Sequence, residues 1–126
     1  MTIQALDHVN LRTADIGRLE AFYVDVLGLT VGPRPAFPFG GLWLYAGRQA
    51  VVHLVQVSEQ PRPTEPLRLE HFAFSARGLS AFLARLDERK VPYRLGRLEE
   101  LGLVQVNVHD PDGNRIHVDF PESEGE

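Results

Sequence analysis

Apolar positions in the first half of the chain recur in an order that predicts one helix among four strands. Residues 5–13 alternate between apolar and polar, which is typical of a strand with one buried face. From 16 to 27 the apolar positions recur every three or four residues, which predicts an amphipathic helix that Asp15 caps and Gly28 ends. Further strands are predicted at 29–34, 42–46 and 50–57.

The second half of the chain repeats the same order of elements. A strand is predicted at 68–75, a helix at 79–90, and further strands at 93–97, 103–109 and 115–120. The proline-rich segment 58–67 is predicted to be a linker, and the acidic end 122–126 is predicted to be frayed. We therefore expect a single domain, 1–126, made of a first module (5–57) and a second module (68–121).

Four of the five histidines occupy equivalent positions in the two halves. His8 and His71 each follow an acidic residue in a predicted first strand and are 63 residues apart, whereas His53 and His117 lie in the predicted last strands and are 64 apart. A single strand histidine is most often bonded to the backbone, or contacts a substrate without a metal. Four histidines at repeat-related positions favour a metal site instead.

Strand alternation also predicts which polar and aromatic side chains share a face with the histidines. Trp43 and Tyr45 fall on one face of their strand, as Gln105 and Asn107 do on theirs, and such walls suit a small, partly apolar, oxygen-bearing substrate. The alternative is that Trp43 and Tyr45 belong to the core. His109, next to a turn, is expected on the opposite face and is expected to be structural.

The composition of the chain argues against several kinds of metal ligand and partner. Without cysteine, a metal must be held by nitrogen and oxygen, and imidazole suits Zn, Ni or Fe better than Mg or Ca. A net charge of −4 without a Lys/Arg cluster argues against nucleic acid as a partner. No apolar run approaches the roughly 20 residues of a spanning helix, and the first residues do not resemble a signal peptide. We therefore expect a cytoplasmic protein with no membrane partner.

Two β-α-β-β-β modules with a histidine on each first strand, together with the hairpin Asp110-Pro111-Asp112-Gly113, resemble the vicinal oxygen chelate superfamily. That superfamily includes glyoxalase I, ring-cleaving dioxygenases and bleomycin-binding resistance proteins. The resemblance implies an α+β fold in which the two modules form a curved mixed sheet with a concave cleft and helices outside. It implies that the first and fourth strands of each module are adjacent. It also implies a homodimer with a small-molecule substrate.

The same resemblance implies metal ligands at His8, His71 and His117, and, as in glyoxalase I, at His53. The family normally has Glu at the positions of His53 and His117. Four neutral imidazoles would leave a Zn, Ni or Fe ion with its full charge and make it a stronger Lewis acid. The missing carboxylates remove the obvious general base, so no catalytic residue is predicted. Asp119, on the face of His117, is expected to orient that ring.

Three functions are compatible with this sequence. The first is a metal-dependent enzyme of the lyase or isomerase type, similar to glyoxalase, acting on a small oxygenated substrate. The second is a ring-cleaving dioxygenase, whose usual iron site includes one carboxylate, so that His117 argues against it. The third is a non-catalytic protein that binds a small, antibiotic-like molecule in the cleft without a metal.

Overall fold

The computed structural model describes residues 1–62 and 68–125 and divides the chain into two compact units, Met1–Pro63 and Thr64–Glu126. Each unit is a four-stranded mixed sheet with one principal helix, so the predicted α+β class and the β-α-β-β-β order of both halves are confirmed. Of the predicted linker, residues 58–62 contain no helix or strand, and 63–67 lie outside the described residues. No helix in the described part of the chain is long and apolar enough to cross a bilayer.

The first unit consists of β1 (Val9–Thr13), α1 (Ile16–Ala21), β2 (Thr30–Gly32), β3 (Gly41–Ala46) and β4 (Gln49–Gln56). Its strand order is β1-β4-β3-β2, in which β1 and β4 are parallel and the other pairs antiparallel. Asp15 caps the helix as predicted, because its carboxylate accepts a hydrogen bond from the Arg18 N–H at 3.1 Å. The helix widens into a π-helical turn, Phe22–Val26, and ends at Gly28 with a φ of 80°.

One face of this first sheet is buried against the helix, and the other carries the histidines. Leu44, Val52 and Leu54 are almost completely buried on the helix side, with Leu19 and Tyr23 from the helical segment. Successive residues of a strand point to opposite faces, so the residues next to these buried positions lie on the other face. That alternation places His8 and His53 together on the face opposite the helix.

The second unit repeats the arrangement with β5 (Phe72–Ser75), α2 (Leu79–Glu88), β6 (Arg94–Leu98), β7 (Leu103–His109) and β8 (Arg115–Pro121). Its strand order is β5-β8-β7-β6, in which β5 and β8 are parallel. Its core is formed by even-numbered residues of β7 and β8 and by the apolar stripe of the helix, where the rings of Phe82 and Phe120 lie 5.6 Å apart. The odd-numbered residues of β8, including His117, face away from the helix.

The first strand of each unit begins later than the sequence pattern predicts. The predicted strands 5–13 and 68–75 are in fact β1, which begins at Val9, and β5, which begins at Phe72. The parallel pairing begins at Val9 with Val52 and at Phe72 with Ile116, although β4 and β8 themselves begin earlier, at Gln49 and Arg115. His8 and His71 therefore lie one residue before their strands.

The prediction that the acidic end of the chain is frayed is wrong for residues 122–125. Residues Glu122–Gly125 form a 3-10 helix, in which the Glu124 carboxylate accepts hydrogen bonds from the Gly78 N–H at 3.0 and 3.2 Å. Gly78 precedes α2 and has no side chain to cap it, so Glu124 supplies the acceptor and the negative charge that a helix N-terminus favours. Arg97 also donates to the Gly125 carbonyl at 2.6 Å.

Candidate functional site

In the first unit, the rings of His8, His53 and Trp43 form a continuous stack. The ring centroids of His8 and His53 lie 3.8 Å apart with an interplanar angle of 13°. On the other side of His53, Trp43 stacks at 4.0 Å and 10°, because the two residues are cross-strand partners of β3 and β4. His53 is covered on both faces of its ring and is only 8% exposed.

A carboxylate holds the outer histidine of this stack. His8 Nδ1 lies 2.7 Å from Asp7 Oδ2, and the Gln49 side chain donates to Asp7 Oδ1 at 2.8 Å. The hydrogen bond to His8 lowers the pKa of Asp7, so the carboxylate is charged and accepts from Nδ1–H. When the ring is neutral, a proton on Nδ1 leaves the lone pair of Nε2 available, which is the arrangement of a metal-ligating histidine whose other nitrogen binds a carboxylate.

The second unit repeats this arrangement with different side chains. His71 and His117 stack at 4.1 Å and 14°, and His71 Nδ1 lies 2.5 Å from Glu70 Oε1. The hydrogen bond to His71 lowers the pKa of Glu70, and Arg115 contributes by donating to Glu70 Oε2 at 3.1 Å. Glu70 thus corresponds to Asp7 and Arg115 to Gln49. Two units of different local sequence build the same carboxylate–histidine–histidine set.

The inner histidine of each pair is held in its neutral form. Burial lowers the pKa of His53 and His117, and the neighbouring His8 or His71 lowers it further. The Ala50 carbonyl, 3.2 Å from His53 Nε2, opposes the shift only in part. A neutral imidazole keeps the lone pair that a metal needs, so both inner rings have the protonation state of a ligand near neutral pH.

Two buried polar atoms near His117 have no hydrogen-bond partner among the described residues: His117 Nε2 and Asp119 Oδ1. Asp119 acts on His117 through its charge, and its orienting role stays a prediction. Burial raises the pKa of Asp119, although His117 and His71 partly oppose that shift. An unpaired nitrogen in a covered site costs free energy unless something binds it, so His117 Nε2 is a candidate metal-ligating atom.

Imidazole nitrogens are suitable ligands for a transition metal, but the stacked orientation of the rings does not allow both rings of a pair to bind one ion. An imidazole nitrogen binds a metal in the plane of its ring, and nearly parallel rings 3.8 Å apart cannot both contain one ion in their planes. At least one ring of each pair must rotate for both to bind the same ion. Among residues 1–62 and 68–125, no group of three or more His, Asp or Glu side chains is positioned to hold an ion.

The predicted substrate-binding residues share faces as expected, but the two aromatic residues already have partners. Trp43 packs on His53, with Phe37 tilted at 6.4 Å, and the Tyr45 hydroxyl donates to the Pro33 carbonyl at 2.5 Å. A Cβ on Gly32 would lie 2.6 Å from the Tyr45 ring, so that ring covers β2 closely. Trp43 and Tyr45 support the site-bearing face. Substrate binding by either remains a prediction.

The two predicted amides lie on the site-bearing face of the second unit, and His109 joins them there. Gln105 and Asn107 lie opposite Gly96 and Arg94 on β6, and Asn107 Nδ2 donates to the Arg94 carbonyl at 3.1 Å. The expectation that His109 lies on the opposite face is wrong, because β7 is regular and residues two apart share a face. Substrate binding by Gln105 and Asn107 stays a prediction.

The sequence interpretation missed the side chains that hold the outer histidines. Asp7 and Glu70 belong to the repeated acidic-His pattern, which was a usable signal for a carboxylate partner of each ring. Gln49 and Arg115 carry no such signal, because they come close to those carboxylates only through the register of β1 with β4 and of β5 with β8.

Comparison with known proteins agrees with this architecture. A lactoylglutathione lyase from Agrobacterium tumefaciens is 22% identical with a TM-score of 0.69, and the alignment covers 100% of both chains. A Bacillus anthracis protein described as glyoxalase family is 24% identical with a TM-score of 0.76, covering 96% of this chain and 98% of that one. A glyoxalase family protein from Enterococcus faecalis is 25% identical with a TM-score of 0.73, covering 94% and 99%.

The first two of these similarities, below 25% identity, show the fold alone. No curated protein matches the sequence. The sequence model of one family matches residues 5–118, nearly the whole chain and both histidine pairs. The chain therefore belongs to the Glyoxalase/Bleomycin resistance protein/Dioxygenase superfamily.

Proposed function

We propose that this protein is a metal-dependent enzyme of the lyase or isomerase type that acts on a small oxygenated substrate. The single observation that carries the proposal is the duplicated set in which Asp7 or Glu70 binds Nδ1 of an outer histidine, while a covered, neutral histidine stacks on it. Structural histidines rarely need a carboxylate on one nitrogen and an unpaired second nitrogen, whereas metal ligands do. Superfamily membership supports the same assignment.

The ion in this proposal is Zn, Ni or Fe, and its ligands come from His8, His53, His71 and His117. A bound ion of this kind would polarise a substrate oxygen or lower the pKa of a bound water. Asp7 and Glu70 fix the tautomers of the outer rings, and Trp43 keeps water from one face of His53. A homodimer and a cytoplasmic location, both expected above, stay predictions.

Metal analysis tests the proposal directly. The protein is purified, loaded separately with Zn, Ni and Fe(II) salts, desalted and measured by elemental analysis, and the same is done for His8→Ala and His71→Ala. We expect stoichiometric metal in the wild type and a large loss in both variants. His109→Ala is the matched control, because it removes an exposed histidine outside the two pairs. Equal metal content in all four proteins would refute the proposal.

Enzymatic activity needs a separate assay because the metal ligands do not identify the substrate. The metal-loaded protein is incubated in heavy water with a panel of small α-hydroxycarbonyl compounds, and deuterium incorporation next to the carbonyl is followed by NMR. Exchange that depends on the metal and is lost in His71→Ala supports lyase or isomerase chemistry. Metal binding without exchange or conversion of any compound would contradict the enzymatic part of the proposal.

One observation favours a second function, which is non-catalytic binding of a small molecule. The outer rings of the two stacked pairs, His8 and His71, are exposed, and an exposed imidazole face can stack on a planar ligand. A ligand that raises the melting temperature of the protein in excess chelator would favour this function. The dioxygenase alternative has less support, because neither pair includes a carboxylate in place of an inner histidine.

A further inference from the structure

A basic depression lies on the site-bearing face of the second unit. Its volume is about 340 Å3, and its lining residues are Pro92, Tyr93, Arg94, Asn107, His109 and Arg115. None of the six is acidic, although the chain as a whole has a net charge of −4. A positively charged concavity on an acidic protein concentrates anions and repels cations.

The register of the sheet places this depression beside an inner histidine. Arg94 on β6 is the cross-strand partner of Asn107 on β7, and Asn107 is in turn the partner of His117 on β8. Cross-strand partners lie about 4.5–5.5 Å apart, so the three side chains form one row across the sheet. Asn107 belongs both to the wall of the depression and to the surroundings of His117.

The two arginines of the depression differ in their partners. Arg115 donates to Glu70 at 3.1 Å, so part of its charge is already balanced. Arg94 is exposed, and no carboxylate of the described residues forms an ion pair with its guanidinium. A guanidinium presents a planar set of N–H donors that matches the oxygens of a carboxylate or phosphate. Arg94 is therefore the cation of the depression with unused donors.

Tyr93 forms a wall of the depression and adds no competing charge. Burial raises the pKa of its hydroxyl, and the hydrogen bond to the Asp87 carboxylate and that negative charge raise it further, so Tyr93 is neutral. The hydroxyl bonds the Asp87 carboxylate of α2, so it is not a donor that a ligand could use. The donors available to a ligand are then the guanidinium of Arg94, the remaining N–H groups of Arg115, and the ring of His109.

We propose that this depression binds the carboxylate or phosphate group of the substrate, with Arg94 as its principal ligand-binding residue. The inference rests on the proposed function only for its link to the imidazoles: an anion held at Arg94 places the rest of a small molecule next to Asn107 and His117. The substrate class is then a small hydroxy acid, keto acid or phosphate ester. A neutral oxygenated compound would leave the Arg94 donors unused.

Binding of simple anions to the metal-free protein tests the inference without any enzymatic assay. Chelator-treated, nitrogen-15-labelled protein is titrated separately with inorganic phosphate and with malonate, and sodium chloride keeps the ionic strength constant. We expect saturable shifts of the backbone amides of Arg94, Asn107 and Arg115. In Arg94→Gln the affinity should fall about tenfold or more, as expected for loss of a charge-assisted hydrogen bond.

Arg97→Gln is the matched control. It removes the same charge from the same strand, but Arg97 lies on the other face of β6, where it bonds the Gly125 carbonyl. Its affinity for both anions should equal that of the wild type. Saturable binding of phosphate, of malonate or of both supports the inference and identifies the preferred group. Shifts that chloride alone reproduces, or equal affinity in Arg94→Gln and the wild type, would overturn it.

The two proposals fail in different measurements. The anion titration uses protein without metal, so failure to bind Zn, Ni or Fe would leave its result unchanged. Conversely, stoichiometric metal in a protein that ignores phosphate and malonate would refute the anion subsite and leave the metal proposal intact.

Discussion

Removing the carboxylate behind an outer histidine should weaken metal binding without unfolding the protein. Asp7→Ala deletes the acceptor that lies 2.7 Å from His8 Nδ1 and frees that ring to rotate and to exchange its tautomer. Glu70→Ala does the same to His71, where the acceptor lies 2.5 Å away. Both carboxylates are on the surface, with Asp7 at 72% and Glu70 at 61% side-chain exposure, so little packing is lost.

The expected magnitude follows from this geometry. Loss of a carboxylate that orients a metal-bound histidine typically costs 10- to 100-fold in metal affinity, and solvent around Asp7 and Glu70 favours the lower end. We therefore expect about a tenfold weaker affinity for Zn²⁺ in each single variant. If the two contributions add as free energies, the double variant should bind about 100-fold more weakly.

Isothermal titration calorimetry with Zn²⁺ measures these affinities, and urea unfolding of the metal-free proteins shows that the variants are folded. Asp25→Ala is the control, because Asp25 is an exposed carboxylate of the same unit and lies outside the histidine pairs. It should bind Zn²⁺ like the wild type. Wild-type affinity in Asp7→Ala and Glu70→Ala, or an equal loss in Asp25→Ala, would refute the orienting role of the carboxylates.

Three further predictions concern stability and the ring stack. The pKa of His53 and His117 is lower in the folded protein than in the unfolded chain, so the unfolded chain binds more protons just below pH 6.5. The free energy of unfolding should therefore fall between pH 7.5 and pH 5.5, by at most about 1.4 kcal/mol per pH unit for each ring. Trp43 is the sole tryptophan and stacks on His53, so Zn²⁺ binding by His53 should change its fluorescence, and His53→Gln should abolish that change. Glu124→Ala removes the acceptor for Gly78 N–H at the start of α2 and should lower the free energy of unfolding by about 0.5–1 kcal/mol.

Each of these three has a contrary outcome. Equal or greater stability at pH 5.5, measured by urea unfolding, would mean that the inner rings are not held neutral by their surroundings. Calorimetric Zn²⁺ binding with an unchanged Trp43 spectrum would remove His53 from the ligands. Unfolding of Glu124→Ala at the wild-type urea concentration would show that the 3-10 helix at the chain end contributes nothing to α2.

The order of the elements could be predicted because each element carries its own local signal. The period of the apolar stripe, the cap at Asp15 and the glycine at 28 all act within a few residues of α1. The starts of β1 and β5 could not be read in this way, because the apolar alternation continues before Val9 and Phe72, where the pairing with β4 and β8 begins. Capping of α2 by Glu124 was equally hidden, because the two lie 46 residues apart in the chain.

The histidine positions could be predicted from the repeat, whereas the ring orientations could not. Alternation places His53 on the correct face, but its stack with His8 and Trp43 depends on the register between three strands. The face of His109 could have been predicted from the alternation along β7, which places it on the same face as Gln105 and Asn107. The expectation of the opposite face did not apply that alternation. The basic depression was missed because Arg94 and Arg115 are 21 residues apart in the sequence. They come to the same surface only because β7 pairs with both β6 and β8.

X-ray absorption at the zinc edge tests the central claim most directly, because it counts the imidazoles on a bound ion. The protein is loaded with less than one equivalent of Zn²⁺, and any unbound Zn²⁺ is removed. The account predicts a nitrogen shell at about 2.0–2.1 Å with the outer-shell scattering of three or four imidazole rings. A spectrum of zinc surrounded by oxygen alone, or no retained zinc, would contradict it.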